Sequence, residues 1–182
     1  MEKNKIKVVF TDFDRTLVDS SSIEHFYHGR LTKEEEKEKR GLAKDLPLVE
    51  GWREVFKELE DRGVIFAIVS RNQKTFLEFM IRKLKISPKT IVGRYGIGAK
   101  WPNLRALDKS VLIGQALEAL NLPDIKLEEV VYVGDQAIDM TWAKEFGVKA
   151  AACFWATGER ELLENSPYDF RLESPKDLLK YL

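Results

Sequence analysis

Four short apolar runs rich in β-branched residues, each followed by a stretch of helical periodicity, constrain this chain more than any other feature. Ile6–Thr11, Val64–Ser70, Val130–Gly134 and Val148–Phe154 read as buried strands, with Thr90–Gly93 a weaker fifth. Between them the spacing is helical. Val55, Phe56 and Leu59 share a face of Trp52–Arg62, and Phe76, Phe79, Met80 and Leu84 share one of Lys74–Leu84. Val111, Leu112, Ala116 and Leu120 form a stripe along Ser110–Leu120, Ile138–Phe146 continues the pattern, and Gly147 reads as a helix C-cap. Strands that alternate with helices predict an α/β fold, a Rossmann-like three-layer core with a mainly parallel sheet. Right-handed crossovers bring the C-terminal strand ends to one edge, where such sheets bind ligands.

One segment departs from that rhythm. Residues 19–48 stand between the first strand and the helix at Trp52. Ser20–Ser22 can cap a short helix holding Ile23, Phe26 and Tyr27. Thr32-Lys33-Glu34-Glu35 has the form of a capping box opening a very polar second helix, expected to be solvated over Lys33–Arg40, and Leu46-Pro47-Leu48 returns the chain. The expected organisation is a single core domain over residues 1–182 with a small helical cap insert at 19–48.

The 182 residues are enough for a real core, and Lys+Arg balance Asp+Glu at 30 each, so no basic field for nucleic acid is expected. The single cysteine, Cys153, lies in an apolar run and reads as a packed core thiol in a reducing compartment. No run approaches the ~20 apolar residues that span a bilayer, and the N-terminus has no apolar leader. No membrane and a cytoplasmic location are therefore expected.

Three stretches sit where strands end: Asp12-Phe13-Asp14-Arg15-Thr16, Ser70, and Gly134-Asp135-Gln136-Ala137-Ile138-Asp139. A parallel sheet gathers their four carboxylates and a hydroxyl into a small volume. Crowded carboxylates need a compensating cation, and Mg²⁺ with its oxygen ligands suits Asp12, Asp135 and Asp139. A carboxylate can attack phosphorus and divide one hard displacement into two easier steps, while a second handles protons. Ser70 can donate to a phosphoryl oxygen. Lys109 opens the helix that leads to the Asp135 strand, a position suited to an anion; Lys100 is its rival.

Asp-x-Asp-x-Thr after one strand, Ser after a second, then Lys, then Gly-Asp-x-x-x-Asp after another resembles the haloacid dehalogenase-like (HAD) hydrolase superfamily, in its phosphatase branch with a reduced cap. The resemblance implies Asp12 as nucleophile and Asp14 as general acid/base, with Thr16 steadying the loop. It implies Thr16, Ser70, Arg71 and Lys109 on the phosphate side. It implies Mg²⁺ held by Asp12, the Asp14 carbonyl and Asp135, with Asp139 in support. Arg15 replaces the glycine common before Thr16, which tests the local turn. The function implied is Mg²⁺-dependent hydrolysis of phosphomonoesters through an aspartyl-phosphate. The alternatives are a phospho-acceptor signalling module, a non-catalytic binding module of similar fold, or a phosphomutase. The expected partner is a small phosphorylated substrate at a fairly open site, or at one that a second subunit of a homodimer covers. Tyr27 and Trp101 are candidate apolar walls, and His25 and His28 lie in or beside the insert.

Overall fold

The structure, a computed structural model, describes residues 5–27, 31–94, 108–155 and 158–182. Chain order runs β1 (Val8–Thr11), a 3-10 helix at Ser21–Tyr27, α1 (Lys33–Ala43), α2 (Trp52–Asp61), β2 (Ile65–Gln73), α3 (Lys74–Leu84) and β3 (Thr90–Arg94). It continues through α4 (Lys109–Leu120), β4 (Val130–Gly134), α5 (Ala137–Phe146), β5 (Lys149–Cys153), α6 (Arg160–Glu164) and β6 (Phe170–Leu172), and closes on a 3-10 helix at Pro175–Lys180. All six strands are parallel, in the order β3-β2-β1-β4-β5-β6.

Alternate side chains of each central strand feed different cores, which is why these strands read as unbroken apolar runs. Val9, Val131 and Val133 pack on one face with Val55 and Leu59 of α2 and with Phe76, Leu77 and Met80 of α3. Val8, Phe10, Val130 and Tyr132 pack on the other with Leu112, Ile113 and Ala116 of α4 and with Met140 and Ala143 of α5. The layers are therefore helix, sheet, helix, as expected from the alternation. The strand order reverses between β1 and β4, so a crevice opens beyond their C-terminal ends.

The helix stripes need two corrections. Val111 is 51% exposed and Ile138 is 43% exposed. In α4, Leu112 and Ala116 are buried as expected and Leu120 packs against the same core, with Ile113 taking the place of Val111; the buried face of α5 runs through Asp139, Met140 and Ala143. The buried face of α5 carries the Asp139 carboxylate. Strand β2 also outruns its expected end at Ser70, and its ladder with β3 shifts register between Val69 and Gln73. Bulges of this kind re-aim side chains beside active sites.

Residues 19–48 hold the 3-10 helix Ser21–Tyr27 and α1. Ser21 Oγ donates to Asp19 Oδ1 at 2.7 Å and Ser21 N does so at 3.2 Å, so Asp19 caps this turn in place of the serines. Thr32 and Glu35 form the reciprocal capping box that their spacing predicts. Val18 pairs with Leu48 in an antiparallel bridge that closes the base of the segment. Lys39 is buried, against the expectation of a wholly solvated run. Cys153 is buried in the core, and Gly147 caps α5 at φ 97°. No helix among the described residues is long and apolar enough to cross a membrane.

Candidate active site

Asp12 leaves β1 at the strand-order reversal, with its N–H on the Val133 carbonyl at 2.9 Å. Its Oδ1 accepts from the Phe13 N–H at 2.7 Å, and its Oδ2 accepts from the Lys109 ammonium. Asp135 follows β4, and Asp139 lies fully buried in the first turn of α5. One oxygen from each of Asp12, Asp135 and Asp139 lies within 4.8 Å of the others. Gly134 makes this approach possible: a Cβ there would stand 2.9 Å from the Tyr132 ring and 3.0 Å from Asp139 Oδ2.

Lys109 opens α4, whose N-cap Asp108 accepts from the Ser110 N–H at 2.7 Å. The lysine is fully buried, its ammonium 5.1 Å from the Tyr132 ring centre, and it also donates to Asp139 Oδ2 at 2.7 Å. It therefore stands behind the carboxylates, with no solvent-facing surface of its own. The rival Lys100 lies outside the described residues, as do Trp101 and His28.

Asp14 faces a different partner. Its Oδ2 accepts from the Asn72 amide, whose Oδ1 in turn accepts from Lys39 Nζ at 3.5 Å. Ser70 and Asn72 are both buried, and the Asn72 N–H donates to Ser70 Oγ at 3.3 Å. Between them Arg71 points outward, donating to Gln136 Oε1 at 2.6 Å and lying 5.6 Å from the Trp142 ring. Asn72 and Lys39 were not singled out in the sequence. The period of two past Ser70 is a signal for Asn72. Nothing in a Glu/Lys run marks Lys39.

Thr16 makes all of its described contacts within the chain. It is fully buried, with its hydroxyl 3.5 Å from Asp135 Oδ1 and from Cys153 Sγ. The indoles of Trp52 and Trp155 donate to its carbonyl at 2.8 and 3.3 Å. Arg15 adopts φ 58°, the left-handed conformation for which glycine is the easy choice. Its Nε stands 3.1 Å from Asp135 Oδ2 and its Nη1 3.2 Å from Glu24 Oε1. His25 is exposed and stacks on Phe26, 4.0 Å between ring centres.

The electrostatics show an under-compensated cluster. Burial, then the charges of Asp12 and Asp139, push Asp135 up to about 7 against the pull of Arg15 and Lys109. Asp139 is also pushed up, by burial and by Asp12, although Lys109 draws it back. Burial alone would lower Lys109, but Asp12 and Asp139 outweigh it and keep the ammonium charged. Asp139 Oδ1 is buried without a hydrogen-bond partner among the described residues. A buried cluster of carboxylates with one unpartnered oxygen fits a divalent cation, and an all-oxygen donor set fits Mg²⁺.

Comparison with known proteins gives the family. The sequence profile of haloacid dehalogenase-like hydrolases matches residues 23–153. The chain belongs to the haloacid dehalogenase-like hydrolase family. Within that family it is 26% identical to a phosphoserine phosphatase from Methanocaldococcus jannaschii, with 100% of both chains covered. It is 24% identical to a phosphoglycolate phosphatase from Synechococcus elongatus over 91% of this chain and 74% of that one. Among solved structures, a haloacid dehalogenase-like hydrolase from Streptococcus pneumoniae superposes with a TM-score of 0.74 at 23% identity, covering 97% and 98% of the two chains. CbbY from Rhodobacter sphaeroides, in complex with xylulose-1,5-bisphosphate, gives 0.66 at 16% identity over 93% and 94%. These structural likenesses bear on the fold, which is that of a haloacid dehalogenase-like hydrolase.

Proposed function

We propose that this hydrolase is a Mg²⁺-dependent phosphatase that cleaves small phosphomonoesters through an aspartyl-phosphate on Asp12. The observation that carries the reading is the meeting of Asp12, Asp135, Asp139 and Lys109 where the strand order reverses, with Asp14 on its own hydrogen-bonded mount. The relatives named above as phosphoserine and phosphoglycolate phosphatases support the same chemistry.

Each step then has a residue. The Asp12 carboxylate attacks phosphorus as the bond to the ester oxygen breaks, and Asp14 gives its proton to that oxygen. Asp14, now a carboxylate, takes a proton from the water that attacks the phosphoryl group, which releases phosphate and restores Asp12. Ser70 donates to a phosphoryl oxygen, Arg71 offers charge at the open edge, and Lys109 lowers the repulsion between Asp12 and the incoming anion. Asp12, Asp135 and Asp139, with the Asp14 carbonyl, would hold Mg²⁺, which supplies the charge neutralisation that phosphoryl transfer needs. Residues 19–48 act as a small cap, reaching the site through Glu24 and Lys39.

A panel of phosphomonoesters assayed with Mg²⁺ tests the proposal. Asp12→Asn is expected to lower turnover by at least about a thousandfold, and EDTA to abolish it reversibly. Multiple turnovers are expected, in contrast to the single stoichiometric phosphorylation of a phospho-acceptor module. Turnover that survives both changes would overturn the proposal.

A further inference from the structure

We infer that Arg15 competes with the metal ion for Asp135, and that Glu24 in the 19–48 segment receives its guanidinium when the ion binds. The inference rests on the metal site proposed above and adds a residue that sets its affinity.

Three observations converge on Arg15. First, its Nε lies 3.1 Å from Asp135 Oδ2. Asp135 belongs to the carboxylate trio, and its other oxygen faces the Thr16 hydroxyl at 3.5 Å. The guanidinium thus holds one of the two oxygens that Asp135 can offer a cation. An N–H donor and a metal ion draw on the same lone pairs, and the two positive charges repel. Second, the cations of the site are divided. Lys109 serves Asp12 and Asp139, and Arg15 serves Asp135. Each carboxylate of the trio therefore has a side-chain cation before any ion arrives. Third, the same guanidinium already holds Glu24 Oε1 at 3.2 Å through Nη1. Glu24 lies on the 3-10 helix Ser21–Tyr27, outside the sheet. It offers the charge a place to stay when Asp135 turns to the ion. Gly158 leaves room for that guanidinium, since a Cβ there would come within 2.6 Å of Arg15 Nη1.

The consequence is a linkage. Loading the ion releases Arg15 from Asp135 and strengthens its pairing with Glu24, which ties the short helix down on the site. Because coupling free energies are reciprocal, whatever holds Glu24 on Arg15 also favours the ion.

Calorimetric titration of metal-free protein with Mg²⁺ tests this without reference to turnover. Arg15→Gly is the informative variant, because its backbone already lies at φ 58°, where glycine carries no strain. Arg15→Gly is expected to tighten Mg²⁺ binding by about tenfold, and Glu24→Gln to weaken it by about threefold, within the usual range of such couplings. The double variant should bind like Arg15→Gly, because Glu24 acts only through Arg15. In the wild type, Mg²⁺ should also slow amide exchange over residues 19–27, and in Arg15→Gly it should not. Unchanged or weaker binding in Arg15→Gly overturns the inference, as does an equal effect of Glu24→Gln with and without Arg15. If Mg²⁺-dependent turnover is intact in that case, only the role of Arg15 falls. If no variant binds Mg²⁺ and none turns over, the metal-site reading falls with it.

Discussion

Lys109 shows how much a single side chain can hold together. Its ammonium is shared by Asp12 and Asp139, and all of its length is buried beside Tyr132. Removing one partner of such a group leaves the others as uncompensated charge, which costs about 3–5 kcal/mol. Lys109→Met keeps the volume and removes the charge. Metal-free Lys109→Met is expected to lose about that much stability in urea titrations, and its turnover should fall at least about a hundredfold because Asp12 loses its counter-ion. A variant as stable as the wild type would show that the lysine is not compensating these carboxylates. At this scale the sequence was informative where residues stand at strand ends. Asp12, Asp14, Asp135 and Lys109 were legible because strand exits and a helix start put them at one edge. Arg15 was legible only as an unusual turn residue. Its contacts with Asp135 and Glu24 depend on a left-handed backbone and on a fold-back of the chain that no local pattern carries.

Among the elements, α1 has the least expected role. Its charge pattern suggests a solvated helix, yet Lys39 is buried, lies 4.7 Å from the Phe76 ring centre and donates to Asn72. Asn72 thereby turns its amide N–H to Asp14. Strand β2 runs on past Ser70, and its alternation sets Ser70 and Asn72 inward and Arg71 outward. Lys39→Met should leave Asn72 less firmly oriented. The expected result is a fall in kcat of about tenfold with KM nearly unchanged, partly restored in Lys39→Arg, since a misoriented proton-transfer group costs rate before it costs binding. A change confined to KM would place Lys39 on the substrate and not behind Asp14. The element boundaries missed in the sequence have equally physical causes. Strand β6 is three residues long and leaves too little pattern to read. Val111 and Ile138 look like members of the α4 and α5 stripes because apolar residues occur on both sides of each true buried edge, as their exposure shows.

For the whole molecule, the alternation of strands and helices was sufficient to expect a parallel sheet with both faces covered, and the strand-end motifs located the working edge. What the alternation could not supply was the strand order, because crossovers to either side of β1 give the same linear pattern. The order β3-β2-β1-β4-β5-β6 makes β1 and β4 neighbours and sets Asp12 beside Asp135. That neighbourhood has a thermodynamic cost that can be measured on the intact protein. Without metal, Asp135 titrates near 7 in the folded state, and Asp139 is raised as well, while both would titrate near 3.8 when unfolded. The folded protein then binds more protons than the unfolded chain between about pH 4 and 7, so stability falls as pH rises through that window. The lowered carboxylates Asp169, Asp177 and Glu129 act in the opposite sense, and their contribution is lost only as the pH falls below their ordinary values. Melting of the metal-free protein should therefore move to lower temperature between about pH 5 and 7.5. Saturating Mg²⁺ should raise the melting temperature most at the upper end of that range, where the carboxylates are ionised and bind it best. Replacing Asp135 by Asn removes the largest of these titrations and should flatten the metal-free curve. If that curve is instead flat in the wild type, the burial of Asp135 among the other carboxylates is not what governs its proton.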